Sequence, residues 1–132
     1  MSPEEITFPT VSDERGHLSV ADIAKDVPIE VERLYWVWGI PEQAERGGHA
    51  HREQTEVLVA MAGAFSVRLT GQDGTVLDYR LDRPDGGLVV PPMYWREVMG
   101  YEPGSVMLAI SDGRYDPDEY LREKDVFLSD AG

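Results

Sequence analysis

Residues 46–63 read RGGHAHREQTEVLVAMAG and contain two of the chain's three histidines, one residue apart. On an extended chain, positions i and i+2 share a face. His49 and His51 therefore send both imidazoles into one space. The apolar run that follows, Thr55 to Met61 (TEVLVAM), is bounded by Gly63. Beyond that glycine, Ala64 to Thr70 (AFSVRLT) supplies a partner strand for a tight pair.

Working outward, the same texture continues in both directions. Glu30 to Trp38 (EVERLYWVW) is rich in β-branched and aromatic residues and predicts a strand. Gly71-Gln72-Asp73-Gly74 is a hairpin turn signal. After it come Val76 to Leu81, Leu88 to Val90, Trp95 to Met99 and Val106 to Ser111. Short strands at this spacing predict an all-β sandwich or barrel. Near the C-terminus Asp116-Pro117-Asp118-Glu119 has the form of a helix start, with a capping Asp, Pro at the first position and acids in the first turn. Tyr120, Leu121, Lys124 and Phe127 extend it at helical spacing. The expected architecture is one small barrel spanning residues 1–132, closed by a short C-terminal helix, with room for side chains or one ligand inside.

The chain has 132 residues, enough for one core, and its formal net charge is −13. Such a surface repels a polyanion, so nucleic-acid binding is not expected. With no cysteine, disulfides, thiolate metal sites and a cysteine nucleophile are excluded. No apolar run approaches the ~18 residues of a membrane helix, and the acidic start, Met1-Ser2-Pro3-Glu4-Glu5, is unlike a signal peptide. A cytoplasmic protein is expected. Ten of the twelve basic residues are arginines. Guanidinium forks suit bidentate phosphate recognition, so an anionic ligand requires several of them to converge.

The spacing His49-Ala50-His51, Glu56, Gly63 fits the first motif of the cupins, which are jelly-roll barrels. Many cupins hold a divalent metal with these three side chains and a histidine from a second motif. Here the second motif falls at Gly86 to Met99, and Arg96 stands at its histidine position. A guanidinium cannot ligate a metal and stays protonated. A His49, His51, Glu56 metal site with open positions is still a conceivable alternative. Without a metal, paired imidazoles suit proton transfer near neutral pH, and proton abstraction next to a carbonyl fits them.

From about Asp13 to Phe127 the chain resembles the sugar-nucleotide 3,4-ketoisomerases. The resemblance rests on Asp13-Glu14-Arg15-Gly16-His17-Leu18, Arg33-Leu34-Tyr35-Trp36 and Arg46-Gly47-Gly48-His49-Ala50-His51-Arg52. It continues in Pro91-Pro92-Met93-Tyr94-Trp95 and Tyr115-Asp116-Pro117-Asp118-Glu119-Tyr120. It implies an enzyme that moves the keto group of a dTDP-linked 4-keto-6-deoxyhexose from C4 to C3, in deoxysugar biosynthesis. An enediol lies on the way, and neither a metal nor another cofactor takes part. His49 and His51 are then the acid and base. Arg15, Tyr35, Arg46, Trp95 and Arg96 become the candidates for binding substrate or steadying the enediolate. The resemblance also implies a homodimer, often with an exchanged N-terminal strand. Two other readings stand beside it: a metal-dependent small-molecule cupin, and a nucleotide-sugar-binding cupin without catalysis.

Overall fold

The computed structural model describes residues 1–129, and among these it forms twelve strands, one 3-10 turn and one α-helix. The strands are β1 (Glu4–Thr7), β2 (Thr10–Asp13), β3 (Gly16–Ser19), β4 (Arg33–Val37), β5 (Arg46–His51) and β6 (Glu56–Ala62). They continue as β7 (Phe65–Thr70), β8 (Val76–Leu81), β9 (Gly86–Val90), β10 (Trp95–Met99), β11 (Val106–Ser111) and β12 (Tyr120–Leu121), before helix α1 (Lys124–Ser129).

Two five-stranded sheets face each other in the manner of a jelly roll. One has the order β1-β9-β6-β11-β4 and the other β12-β5-β10-β7-β8, with antiparallel pairing throughout. Alternation along each strand fills the space between them. Leu58, Ala60, Leu88, Val90 and Ala109 from the first sheet meet Phe65, Val67, Leu69 and Val98 from the second. Strands β2 and β3 form a separate exposed hairpin.

The back of the first sheet is covered as well. Val57, Val59, Val89 and Ile110 point outward and are sealed by Phe8 and Val27, with Ile29 and Val31 beside them. Gly63 stands where the chain crosses from β6 in the first sheet to β7 in the second, so the tight pair expected across it does not form: β6 pairs with β9 and β11, and β7 with β8 and β10. The Gly63 φ is +69°, and a Cβ there would lie 2.8 Å from the Ser105 Cα, so only glycine fits.

The C-terminal expectation needs correcting. Asp116 does cap a turn, its side chain accepting from the Asp118 N–H, but the turn is a 3-10 helix of three residues, Pro117–Glu119. Tyr120 and Leu121 then extend and pair with His51 and Ala50 instead of continuing a helix. The helix starts only at Lys124. Open backbone groups on the β5 edge and a buried berth for Leu121 outweigh the helical spacing. Trp95, Leu121, Phe127 and Ala50 make a small core on the outer face of the second sheet.

Candidate active site

Strand β5 delivers the histidines. It carries an extra residue opposite β10: Arg96 pairs with His49, yet Glu97 pairs with Gly47. This bulge re-aims the strand into the barrel. Gly47 has φ +88°, and a Cβ there would come within 2.9 Å of the Arg96 carbonyl oxygen. The glycine thus lets β10 bring Arg96 alongside the imidazoles.

As alternation predicts, His49 and His51 lie on one face, their ring centroids 5.0 Å apart and edge to face. His49 Nδ1 is 2.9 Å from the Gly47 carbonyl oxygen. A carbonyl only accepts, so Nδ1 carries the hydrogen and Nε2 presents a lone pair. That Nε2 is buried and has no hydrogen-bond partner in the protein. Burial, helped by the nearby Arg96 charge, lowers the His49 pKa to about 3, so the ring is neutral at physiological pH.

Behind the histidines sits a buried charge pair. Arg96 Nη1 donates to Glu56 Oε1 at 2.6 Å, and the Tyr35 hydroxyl donates to the same oxygen at 2.7 Å. Arg33 Nη2 reaches Glu56 Oε2 at 3.4 Å, and His51 Nε2 lies 3.5 Å from Oε1. Burial alone would push the Glu56 carboxyl up. The Arg96 charge, with His51 and Tyr35, overcomes that and holds it well below the usual carboxylate range. Burial pushes the Tyr35 hydroxyl up, so it stays a donor. Burial also works against the Arg96 charge, and Glu56 more than restores it.

A cavity of about 490 Å³ opens in front of these groups, lined by Arg33, Tyr35, Arg46, His49, Arg96, Tyr115, Tyr120 and Arg122, among others. Four arginines converge there, and no Asp or Glu lines the cavity among the described residues. Inside a chain of charge −13, this is a cationic chamber shaped for an anion. The donor set does not suit a divalent cation. The Glu56 oxygen that would face a metal already takes two hydrogen bonds, one from a permanent cation.

Five of the seven candidate residues meet here: His49, Tyr35, Arg46 and Arg96 line the cavity, and His51 lies beside His49. Two do not. Trp95 neighbours Arg96 on a strand, so the two must point to opposite faces. The indole packs on Phe127, with ring centroids 5.9 Å apart, outside the barrel. Arg15 lies in the β2–β3 turn, bonded to Asp13 at 2.7 Å and exposed, and is not part of this cavity.

Several cavity residues carried no role in the sequence reading. The Tyr120 ring lies 5.0 Å from His49 and 4.6 Å from His51 and roofs the pair. The Arg122 guanidinium stacks on Tyr120 at 4.4 Å, and that of Arg33 lies between Tyr35 and Tyr115 at 5.2 and 5.8 Å. Arg33, Tyr115 and Tyr120 stand in the matched motifs, which was the available signal. Arg122 had none.

Comparison with known proteins agrees with this geometry. The family model described as "FdtA: WxcM-like, C-terminal" matches residues 1–131. The TDP-4-oxo-6-deoxy-alpha-D-glucose-3,4-oxoisomerase of Aneurinibacillus thermoaerophilus is 32% identical over 128 residues, covering 96% of this chain and 91% of that one. The structure of QdtA, a sugar 3,4-ketoisomerase from Thermoanaerobacterium thermosaccharolyticum in complex with TDP, superposes with a TM-score of 0.93 at 29% identity, over 98% and 93% of the two chains. The TDP-quinovose 3,4-ketoisomerase WlaRB of Campylobacter jejuni gives a TM-score of 0.89 at 30% identity, over 96% and 97%. With the family model covering all but the last residue and the sheets superposing end to end, the chain belongs to the FdtA-like family of sugar-nucleotide 3,4-ketoisomerases.

Proposed function

We propose that this chain converts a dTDP-4-keto-6-deoxyhexose into its 3-keto isomer by acid–base chemistry alone. The chain is a sugar-nucleotide 3,4-ketoisomerase of deoxysugar biosynthesis, built as one cupin domain and working in the cytoplasm. The observation that carries the mechanism is His49: a neutral ring, fixed through Nδ1, with a free Nε2 in an arginine-lined cavity.

His49 is the base. Its Nε2 takes the proton from C3, the C–H electrons form the C3–C4 double bond, and the former carbonyl oxygen on C4 becomes the enediolate oxygen. The positive charge of Arg96 steadies that oxygen, and pre-placed charge of this kind counts most in a dry site. The C3 hydroxyl then passes its proton to the oxygen on C4, which becomes a hydroxyl, while the C3 oxygen becomes the new carbonyl and the electrons of the C3–C4 double bond turn to C4. C4 receives a proton from the pair formed by His49 and His51, which leaves no net change in protons and uses no oxidant. Arg46 and Arg122, at the cavity mouth, receive the diphosphate.

The protein acts as a homodimer. Leu34, Trp36 and Trp38, on the outer side of β4 and just beyond it, are 53%, 62% and 72% exposed, and the β2–β3 hairpin is exposed along its length. A second copy covering these groups and exchanging the N-terminal strands would give Arg15 a route to a partner's cavity. Sedimentation velocity of the protein and of Trp36→Glu tests this, with a monomeric wild type as the contrary result.

Deuterium incorporation tests the chemistry. Incubation with TDP-4-keto-6-deoxyglucose in D2O should give wash-in at C3 and the 3-keto product by NMR. Saturable binding without exchange would leave the chain a sugar-nucleotide binder and not an isomerase.

A further inference from the structure

Tyr120 is distant in sequence from the histidines it covers, and one carboxylate fastens it there. Glu119 Oε1 accepts the consecutive backbone N–H groups of Glu53 and Gln54, at 2.5 and 2.6 Å, in the turn just past His51. Weaker ties surround this one. The Arg52 N–H donates to the Glu119 carbonyl at 3.0 Å, and Gln54 Nε2 donates to the Arg114 carbonyl at 2.9 Å. Strand β12 itself pairs over only two residues, too few to hold a register unaided. Beyond Glu119 the chain supplies one wall of the cavity, with Tyr120 on both imidazoles and Arg122 stacked on its outer side.

We propose that Glu119 is a positioning residue: by riveting the 3-10 turn to the strand that carries His49 and His51, it holds Tyr120 over the imidazole pair and keeps water from it. The inference rests on the proton-transfer reading above. The carboxylate is well made for the task. Two charge-assisted hydrogen bonds from adjacent amides fix both its position and its direction, and the next residue along the chain is the roof itself. A displacement of about 1 Å at a reacting group costs on the order of a hundredfold in rate, so a loosened roof should act on chemistry before it acts on folding.

The experiment compares Glu119→Ala with Glu119→Gln, whose carboxamide oxygen accepts from the same two amides. The readouts are kcat on TDP-4-keto-6-deoxyglucose and the titration of the His49 ring by NMR on the free protein. In the wild type His49 stays neutral from pH 8 down to pH 5, in keeping with its pKa of about 3. In Glu119→Ala the ring should gain a proton inside that range as water enters, and kcat should fall about a hundredfold. Glu119→Gln should restore both to near the wild-type values. Glu119→Ala with wild-type kcat and a neutral His49 overturns the proposal, whatever happens to the melting temperature. If the alanine variant does not fold, Glu119→Asp, which shortens the tether, takes its place with the same expected and contrary results. If the wild type turns nothing over, the proton-transfer reading fails, and the NMR titration alone still decides the role of Glu119.

Discussion

Replacing Arg96 with methionine removes the guanidinium while keeping most of the apolar stem, so it isolates the charge. Glu56 would be left buried, with Tyr35 at 2.7 Å, Arg33 at 3.4 Å and His51 at 3.5 Å as its remaining partners. Removing one member of a buried ion pair generally costs about 3–5 kcal/mol, because the survivor's charge stays without compensation. The retained donors place Arg96→Met near the lower end, about 3 kcal/mol, which for a domain of this size is roughly 10–15 °C in melting temperature. The sign of the pH dependence is diagnostic. In the wild type the Glu56 pKa lies below its unfolded value, so its contribution is present above about pH 4.3 and is lost as pH falls through the folded pKa. Without Arg96 burial dominates, and the folded pKa rises above the unfolded one. The contribution then exists only below about pH 4.3 and disappears as pH rises. The deficit of the variant should therefore be larger at pH 8 than at pH 5. Urea unfolding at both pH values, on Arg96→Met and on Glu56→Gln/Arg96→Met, measures it. The double variant should regain about 1–2 kcal/mol at pH 8, since no charge is then buried alone. A deficit below about 1 kcal/mol for Arg96→Met at pH 8, or a double variant no more stable than the single, would refute the pairing argument.

His49→Asn should lower kcat by about 10²–10⁴-fold and abolish C3 exchange; an exchange rate near that of the wild type would remove His49 from the reaction. The same residue shapes stability. Its folded pKa of about 3 lies below the unfolded ~6.5, so the unfolded chain binds more protons between these values and stability falls as pH drops through that window. The slope from this one group approaches about 1.4 kcal/mol per pH unit near pH 5 and should vanish in His49→Asn, as denaturant titrations at pH 4.5, 5.5 and 7 would reveal. Exhaustive dialysis against EDTA should leave turnover unchanged. Loss of activity restored by zinc, iron or manganese would return the site to metal chemistry. Trp95→Ala should cost about 3–5 kcal/mol by opening the outer core around Phe127, yet leave KM within a factor of about two; a large rise in KM would put the indole at the substrate.

How much of this was legible in the sequence depends on the kind of signal. Strands β8, β10 and β11 fall at the predicted residues, because period-2 alternation between clear turn signals is a local property. Placing His49 and His51 on one face needed only the i, i+2 rule. Its converse was also available: Trp95 and Arg96 are adjacent, so both could not enter the cavity. The polar strands β1, β2 and β3 gave no apolar pattern, since β2 and β3 are exposed on both faces. The C-terminal segment misled because a capping Asp, a Pro and two acids promise a helix, and they deliver only one 3-10 turn. What ended it was non-local, the free edge of β5 and the berth for Leu121. The same non-locality hid Tyr120 and Arg122, whose functional neighbours lie some 70 residues earlier in the chain.

In the proposed reaction the Arg96–Glu56 pair would let a barrel with the metal-cupin spacing work without a metal ion. In the metal-binding arrangement, Glu56 and a second-motif histidine would jointly hold a cation facing the substrate. Here the cation is covalently part of β10, and Glu56 serves as its anchor at 2.6 Å. A guanidinium supplies positive charge and directed donors, but no open coordination position. It therefore stabilises an oxyanion without offering a site for oxygen or metal-bound hydroxide. That restriction matches the demand of a keto–enol shift, in which one negative charge must be carried from one carbonyl oxygen to the next. It also places a cation close to His49, which disfavours protonation of the ring and keeps it neutral. In the proposed reaction the same charge pair would fix the cavity, steady the enediolate and tune the base, so a substitution at Arg96 should move stability, rate and the His49 titration together.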